Sequence, residues 1–250
     1  MNLTRAITRA ITQSLTQSLT SPPIGGGGAA VWVPDATFFA GASGFAYNPF
    51  DYSKAFQDSA GATPVTATGQ SLGRLTDLSG NGNHRTQATS GKKPLTAAGG
   101  YTFDNFDDGM TGPCNTSSAG AWTYLAKIGA GADTVGIIMR GNSPGSSYFG
   151  YYSSGGVASS YGGNVTQTSM KVDGVTVTNS NGALYTALTG SPHLLELRIS
   201  AFVHAGGWDS VFNIGDYSGF VAGITVGREI LIQRNLTGDD LANAIAWVNI

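Results

Sequence analysis

The segment Asp77–His84, DLSGNGNH, presents a carboxylate, a hydroxyl and an amide at alternate positions, followed by glycine. Asp77, Ser79, Asn81 and Gly82 match the first half of a calcium loop, in which oxygen donors alternate and a glycine turns the chain sharply. The twelfth position, which calls for a bidentate Glu, is Ala88, so an EF-hand is excluded. Calcium held by Asp77 and Asn81, with donors from elsewhere, is the one cofactor the sequence admits. A tight turn in which these side chains cap backbone N–H groups is the preferred reading. Asp104, Asp107 and Asp108 form a second acidic group, read as a strand-to-loop corner because Asp108-Gly109 signals a turn.

Hydrolytic chemistry finds less support. Glycoside hydrolysis needs two carboxylates roughly 5–9.5 Å apart, and no pair of acids stands out. Glu196 has Arg198 two residues on, which reads as an exposed ion pair. A Ser-His-Asp site would draw on His84, His193 or His204, but no G-x-S-x-G turn is present. Neither Gly-rich run is followed by the Gly-Lys-Ser/Thr of a phosphate loop. The single cysteine, Cys114, permits no internal disulfide and no cysteine-based zinc site. The sequence nominates no catalytic residue, and the expectation is a protein without enzymatic activity. Aromatic residues carry more weight. Tyr148, Phe149, Tyr151, Tyr152 and Tyr161 crowd the Gly- and Ser-rich stretch 143–163, the vocabulary of adaptable binding surfaces. Strand alternation would put Tyr148 and Tyr152 on one face with Gly150 between them. Tyr148, Tyr152, Tyr161 and Trp208 are the candidates for stacking on sugar rings. The competing reading places these rings in the core.

These residues must be carried by strands. Short runs rich in Val, Ile, Thr and Tyr fall at Trp122–Lys127, Val135–Arg140, Ser147–Tyr152, Ser169–Val172, Val175–Thr178, Leu194–Phe202, Ser210–Ile214 and Ile224–Gln233, separated by Gly, Asn and Ser clusters. Lys171–Val177 reads as a hairpin turning at Asp173-Gly174. Leu195, Leu197 and Ile199 alternate with Glu196, Arg198 and Ser200, as in a strand with one buried face. One helix is expected, at the end, with Thr237 as N-cap, Asp240 closing a capping box, and Leu241, Ile245 and Val248 at helical spacing. Many short antiparallel strands with scarce helix predict an all-β, two-sheet jelly-roll sandwich with a short C-terminal helix.

Three parts follow one another along the chain. Residues 1–20 repeat as LTRA ITRA ITQS LTQS LT, with Leu3, Ile7, Ile11, Leu15 and Leu19 at every fourth position. As a helix this stripe winds right-handed around the axis; as a strand it forms one face. Helix is favoured, and either form is marginal alone. The segment is therefore expected to be an anchor that associates with copies of itself or a larger partner. Residues 21–28, SPPIGGGG, are a stop and a swivel. Residues 29–250 are the head. At 250 residues, 11% charged and net charge −2, the chain lacks the heptads of a coiled coil and the basic stripe of a nucleic-acid binder. It has no apolar run of membrane-spanning length and no apolar core of a secretory signal. Neither nucleic acid nor membrane insertion is expected, and assembly in the cytoplasm where the chain is made is.

Three segments of the head resemble the concanavalin-like, laminin-G-like jelly-roll modules of bacteriophage structural proteins. Phe45–Thr89, with LTDLSGNGNHRTQAT at its end, is similar to the family's opening. Tyr101–Thr111, YTFDNFDDGMT, resembles the strand that follows, although Phe103-Asp104-Asn105 stands where the family has Phe-Asp-Gly. Phe220–Ile250 resembles the closing strand and helix, with Asp239-Asp240 where Glu is common. The E-x-D-x-x-E strand of glucanases of this fold is absent. The resemblance implies a non-enzymatic virion protein, a tail fibre or tip ahead of a capsid decoration protein. Residues 1–20 would attach it to another virion protein or to itself, a trimer being the count expected of a fibre. The head would face outward to bind a host-surface glycan. A free lectin and a polysaccharide hydrolase rank below that reading.

Overall fold

The computed structural model describes residues 32–104, 108–115, 120–130, 135–141, 148–163, 165–202, 209–214 and 224–250. The anchor positions Leu3, Ile7, Ile11, Leu15 and Leu19, the linker and Trp208 lie outside them. Residues Val33–Ile250 form one compact unit.

Two antiparallel sheets face each other. The strands are β1 (Gly44–Tyr47), β2 (Ala55–Phe56), β3 (Arg74–Leu75), β4 (Arg85–Thr86), β5 (Leu95–Ala97), β6 (Gly100–Thr102), β7 (Met110–Asn115), β8 (Trp122–Ala130), β9 (Val135–Gly141), β10 (Tyr148–Ser153), β11 (Tyr161–Gly162), β12 (Val165–Val172), β13 (Val175–Thr176), β14 (His193–Phe202), β15 (Asp209–Ile214) and β16 (Ile224–Ile232). The first sheet runs β13-β12-β14-β8-β16-β6-β5, and β1 also pairs with β16. The second runs β11-β10-β9-β15-β7-β4-β3-β2. The outermost strands span only two or three residues each, which leaves little open backbone for pairing with another chain. This is the expected all-β sandwich; β8, β9, β10 and β12 to β16 fall on the predicted runs, β12 beginning earlier, at Val165, whereas β1 to β7 and β11 lie outside those runs. The hairpin β12–β13 turns at Asp173 and Gly174, with φ of 49° and 80°. Two positive φ values make the type of turn that matches strand twist.

The inner faces meet over a core that includes Phe45, Tyr101, Trp122, Tyr124, Phe149, Tyr152, Leu195, Leu197 and Ile199. Leu195, Leu197 and Ile199 point inward as their alternation requires. Glu196 and Arg198 do pair, at 2.8 Å, but the expected exposure is corrected: Glu196 is buried, because the chain leading to the last helix covers it. Arg198 reaches that chain, donating to Asn235 Oδ1 and to the Leu236 carbonyl, both at 2.8 Å.

Three α-helices occur among the described residues: α1 (Ala36–Phe39), α2 (Asn181–Leu188) and α3 (Gly238–Val248). Only α3 was expected. Asp35 caps α1 by accepting from the N–H groups of Thr37 and Phe38, and Ser180 caps α2 by accepting from Ala183. Thr237 is the N-cap residue of α3, but its side chain makes no capping bond. Asp240 turns instead to Arg234, at 3.2 Å, so the capping box is corrected. Helix α3 packs on β8 and β16. Leu125, Ile230, Ile232, Leu236, Trp247 and Val248 are buried apart from the main core. Ile230 and Ile232 alternate with inward Leu231, so they line the outer face of the first sheet, beneath the helix. Among the described residues no helix is long and apolar enough to cross a membrane.

Candidate functional site

Strand β10 carries the aromatic cluster, and its faces do not alternate. Phe149 and Tyr152 are buried in the core, while Tyr148 and Tyr151 are half-buried on the other side. Gly150 is the cause. It has φ +67°, a conformation open to glycine and strained for other residues. Pairing with β9 stays in register throughout, from Tyr148 opposite Arg140 to Ser153 opposite Val135. Gly150 therefore inverts the alternation without inserting a residue. The ring centroids of Tyr148 and Tyr151 lie 5.6 Å apart at 76°. Tyr148 lies across β11: a Cβ on Gly162 would stand 2.5 Å from its Cζ and hydroxyl. Burial, and then the neighbouring Tyr151, raises the Tyr148 hydroxyl above its ordinary pKa.

The expected pair, Tyr148 with Tyr152, is thus corrected to Tyr148 with Tyr151. Tyr152 is fully buried and its ring faces Tyr185 of α2, at 6.4 Å. Tyr161 is opposite Phe149 in the register and packs, half-buried, against the core. Tyr148 alone of the three described candidates is turned outward. The glycine between the tyrosines was the signal available in the sequence; regular alternation was read through it.

Asp77 and Asn81 are brought together in a hydrogen-bonded turn. The Asp77 carboxylate accepts from the N–H of Ala46 and Asn83, both 3.0 Å, from the N–H of Ser79 at 2.9 Å, and from the Ser79 hydroxyl at 2.6 Å. Asn81 Nδ2 donates to the carbonyls of Ala42 and Gly44. Gly80 and Gly82 take positive φ of 82° and 74°. Four donors on one carboxylate make this the bolt that fixes β1, the turn reading of the sequence. Asp104 and Asp108 likewise cap each other's backbone, at 2.9 and 3.4 Å. Among the described residues no three His, Cys, Asp or Glu side chains gather as a metal group.

The most concentrated electrostatics lie inside the sandwich, at residues the sequence did not nominate. Arg85 on β4 is 1% exposed and forms an ion pair with Glu229 on β16, which is fully buried. Arg85 Nη1 also donates to the Tyr101 hydroxyl at 2.7 Å. Tyr101 and Tyr124 donate to the two Glu229 oxygens, at 2.7 and 3.2 Å. The guanidinium lies 4.7 and 4.6 Å from the ring centroids of Phe45 and Tyr47. Burial is the largest influence and opposes the Arg85 charge, but Glu229 together with Tyr101, Tyr47 and Tyr124 outweighs it and raises the Arg85 pKa. Burial, and then Glu229, pushes the Tyr101 and Tyr124 hydroxyls well above their usual range. A register shift in β16 between Val226 and Glu229 aims Glu229 inward. Arg85 on the second sheet and Glu229, Tyr101 and Tyr124 on the first make this network a link between the two sheets.

No family model and no curated protein sequence matches the chain. Solved structures do. Trypanosoma rangeli sialidase matches at 15% identity and a TM-score of 0.47, covering 98% of this chain and 39% of that one. Its complex with the inhibitor DANA matches at 14% and 0.43, over 96% and 38%. Its covalent intermediate with 2,3-difluorosialic acid matches at 15% and 0.44, also over 96% and 38%. The chain spans about two fifths of the length of these structures. They are structures of an enzyme, and on that finding the expectation of a protein without enzymatic activity is corrected and not carried forward. At this likeness they transfer neither a reaction nor a catalytic residue to the present chain.

Proposed function

We propose that the chain is a bacteriophage virion protein whose β-sandwich head binds a host-surface glycan and whose residues 1–20 attach it to the particle. The observation that carries the glycan reading is the Tyr148–Tyr151 pair, turned away from the core on the second sheet. Aromatic rings stack on the apolar faces of sugars, and a tyrosine adds a hydroxyl for hydrogen bonding. Helix α3 packs on β16 and β8 of the first sheet, and α2 packs on β10 and β8. The virion reading is supported by the resemblance of the three head segments and by the repeat that precedes the glycine linker. Several heads on one particle would add avidity to a weak single site.

A glycan array probed with the full-length protein tests the binding. Bound glycans are expected, with signal lost in both Tyr148→Ala and Tyr151→Ala. Binding that survives both substitutions would move the site elsewhere, and an empty array would end the proposal.

A further inference from the structure

The segment by which the chain enters the head is tied to the segment that follows its last strand. Asp35 caps α1, and Phe38 and Phe39 at the end of that turn are buried. Arg234, two residues past β16, reaches back to them. Its Nη2 donates to the Phe38 carbonyl at 2.7 Å, and its guanidinium lies 4.6 Å from the centroid of the Phe38 ring. A hydrogen bond from a charged donor is stronger than a neutral one, and the cation is also attracted to the ring face. The Asp240 carboxylate, 3.2 Å away and exposed, adds little strength of its own.

Further ties follow in chain order. Asn81 Nδ2 donates to the Ala42 carbonyl at 3.0 Å, and the Gln233 N–H donates to the Ser43 carbonyl at 2.8 Å. The β1–β16 ladder then starts with Gly44 opposite Ile232 and ends with Tyr47 opposite Glu229. On its other side β1 is held by the Asp77–His84 loop. Asn83 Nδ2 donates to the Gly44 carbonyl at 2.6 Å, and the Leu78 N–H donates to the Ala46 carbonyl at 2.9 Å.

This order has a mechanical consequence. The hydrogen bonds of an antiparallel ladder lie across the strands, so a ladder pulled at its end opens one pair at a time. A tie ahead of that end must break before the ladder is loaded. We propose that Arg234 is a clasp of this kind: tension arriving through the linker meets the Phe38–Arg234 contact before the ladder, and the clasp keeps β1 from being peeled off β16. The inference rests on the reading that residues 1–20 hold the head to a particle, because a head bound to a host surface is then pulled through its linker.

The test is single-molecule unfolding at constant force on the full-length chain. One handle is attached at the N-terminus and the other at Val157→Cys in a Cys114→Ser background; Val157 is 95% exposed. Arg234→Met keeps an apolar stem and removes the charge and the donor. It is expected to unfold about tenfold faster than wild type under the same force, as loss of one charged hydrogen bond that breaks before the transition state requires. Phe38→Leu keeps an apolar side chain but removes the ring beneath the guanidinium, and it is expected to move the rate in the same direction; it takes over if Arg234→Met fails to fold. Asp58→Ala is the control. Its carboxylate accepts from the N–H of Gly61 and Ala62, at 2.8 and 3.1 Å, in the loop after β2, at the opposite edge of the second sheet from β11. It is expected to lower the urea midpoint and to leave the rate under force unchanged. An unchanged rate in the clasp variants would overturn the proposal, and so would an equal acceleration in Asp58→Ala for the same fall in midpoint. The rate is read without particle or glycan, so the clasp can fail while the attachment reading stands; attachment through residues 1–20 is read separately, by light scattering.

Discussion

Replacing Gly150 by Ala tests the device that sets the aromatic faces. An added Cβ would stand 2.9 Å from Ile138 Cβ and 3.0 Å from its Cδ1, in the core. At φ +67° the alanine also sits in the left-handed region, which costs a residue with a Cβ about 1–2 kcal/mol. Overpacking against Ile138 adds about 1–3 kcal/mol. Retaining the native faces therefore costs about 2–5 kcal/mol. The strand can instead relax to regular alternation. That exchanges Tyr152 for Tyr151 in the core, and misfit of the exchanged ring costs about 1–3 kcal/mol. Both routes destabilise, the second by less on these figures. Gly155→Ala is the control: φ is +68° there, with nothing within 4 Å of the new Cβ, so it isolates the backbone contribution of about 1–2 kcal/mol. Urea unfolding measures both through the shift in midpoint at constant slope. If Gly150→Ala keeps wild-type stability with its glycan binding intact, Gly150 does not set the faces.

Three further outcomes are expected. Arg85→Met leaves Glu229 buried without its ion-pair partner and should cost about 3–5 kcal/mol, whereas Arg85→Met with Glu229→Leu should recover most of that, as buried ion pairs replaced by apolar residues often do; a double variant no better than the single would show that the tyrosine hydroxyls, not the charges, govern the site. His84 Nδ1 accepts the Asp77 N–H at 3.1 Å, and its pKa is lowered, by burial first and then by Arg74, against the pull of Asp77. The unfolded chain then binds the proton more readily, so this contribution is full above the ordinary value of 6.5 and is lost as pH falls through the native value. Unfolding midpoints at pH 7.5 and 5 should reveal that loss in the wild type and a smaller one in His84→Gln, and equal losses would remove His84 as the source. Light scattering of the full-length chain should give a defined oligomer and of a chain starting at Ala29 a monomer; monomers in both cases would end self-association through residues 1–20.

Strand identity was legible because it depends on local composition. Runs such as Leu194–Phe202 and Ile224–Gln233 are β-branched, aromatic and bounded by turn residues, and they became β14 and β16. Asp173-Gly174 specified its turn for the same local reason. The Asp77–His84 loop was legible in role, since its acid and amide spacing suits backbone capping. Helix α2 was obscured by Gly182 near its start, although Ser180 stood ready as the cap. The capping role of Asp240 failed to a tertiary partner, Arg234, whose guanidinium also donates to the Phe38 carbonyl at 2.7 Å. Arg85 and Glu229 are 144 residues apart in sequence. No spacing rule connects them, and each alone reads as a surface charge. The error at Tyr152 was different in kind. Periodicity of two holds only while every residue keeps extended dihedrals, and one glycine at positive φ breaks it without shifting the register of the pairs on either side.

That exception has a structural logic. The first sheet is apolar on both faces, with Tyr124 and Leu231 facing the second sheet and Leu125, Ile230 and Ile232 covered by α3. Its outer surface is spent on packing. In the second sheet, regular alternation along YFGYYS would place Tyr148 and Tyr152 on the outer face and bury Tyr151. Tyr148 and Tyr152 are four residues apart, too far for their rings to touch along an extended strand, which rises about 3.3 Å per residue. Inverting the faces at Gly150 shortens the spacing to three and brings the two rings to 5.6 Å. Tyr152 at the same time fills the space against Tyr185 and closes the core. A single glycine thereby pairs Tyr148 with Tyr151 and seats Tyr152 in the core, and both effects disappear together when the residue gains a side chain.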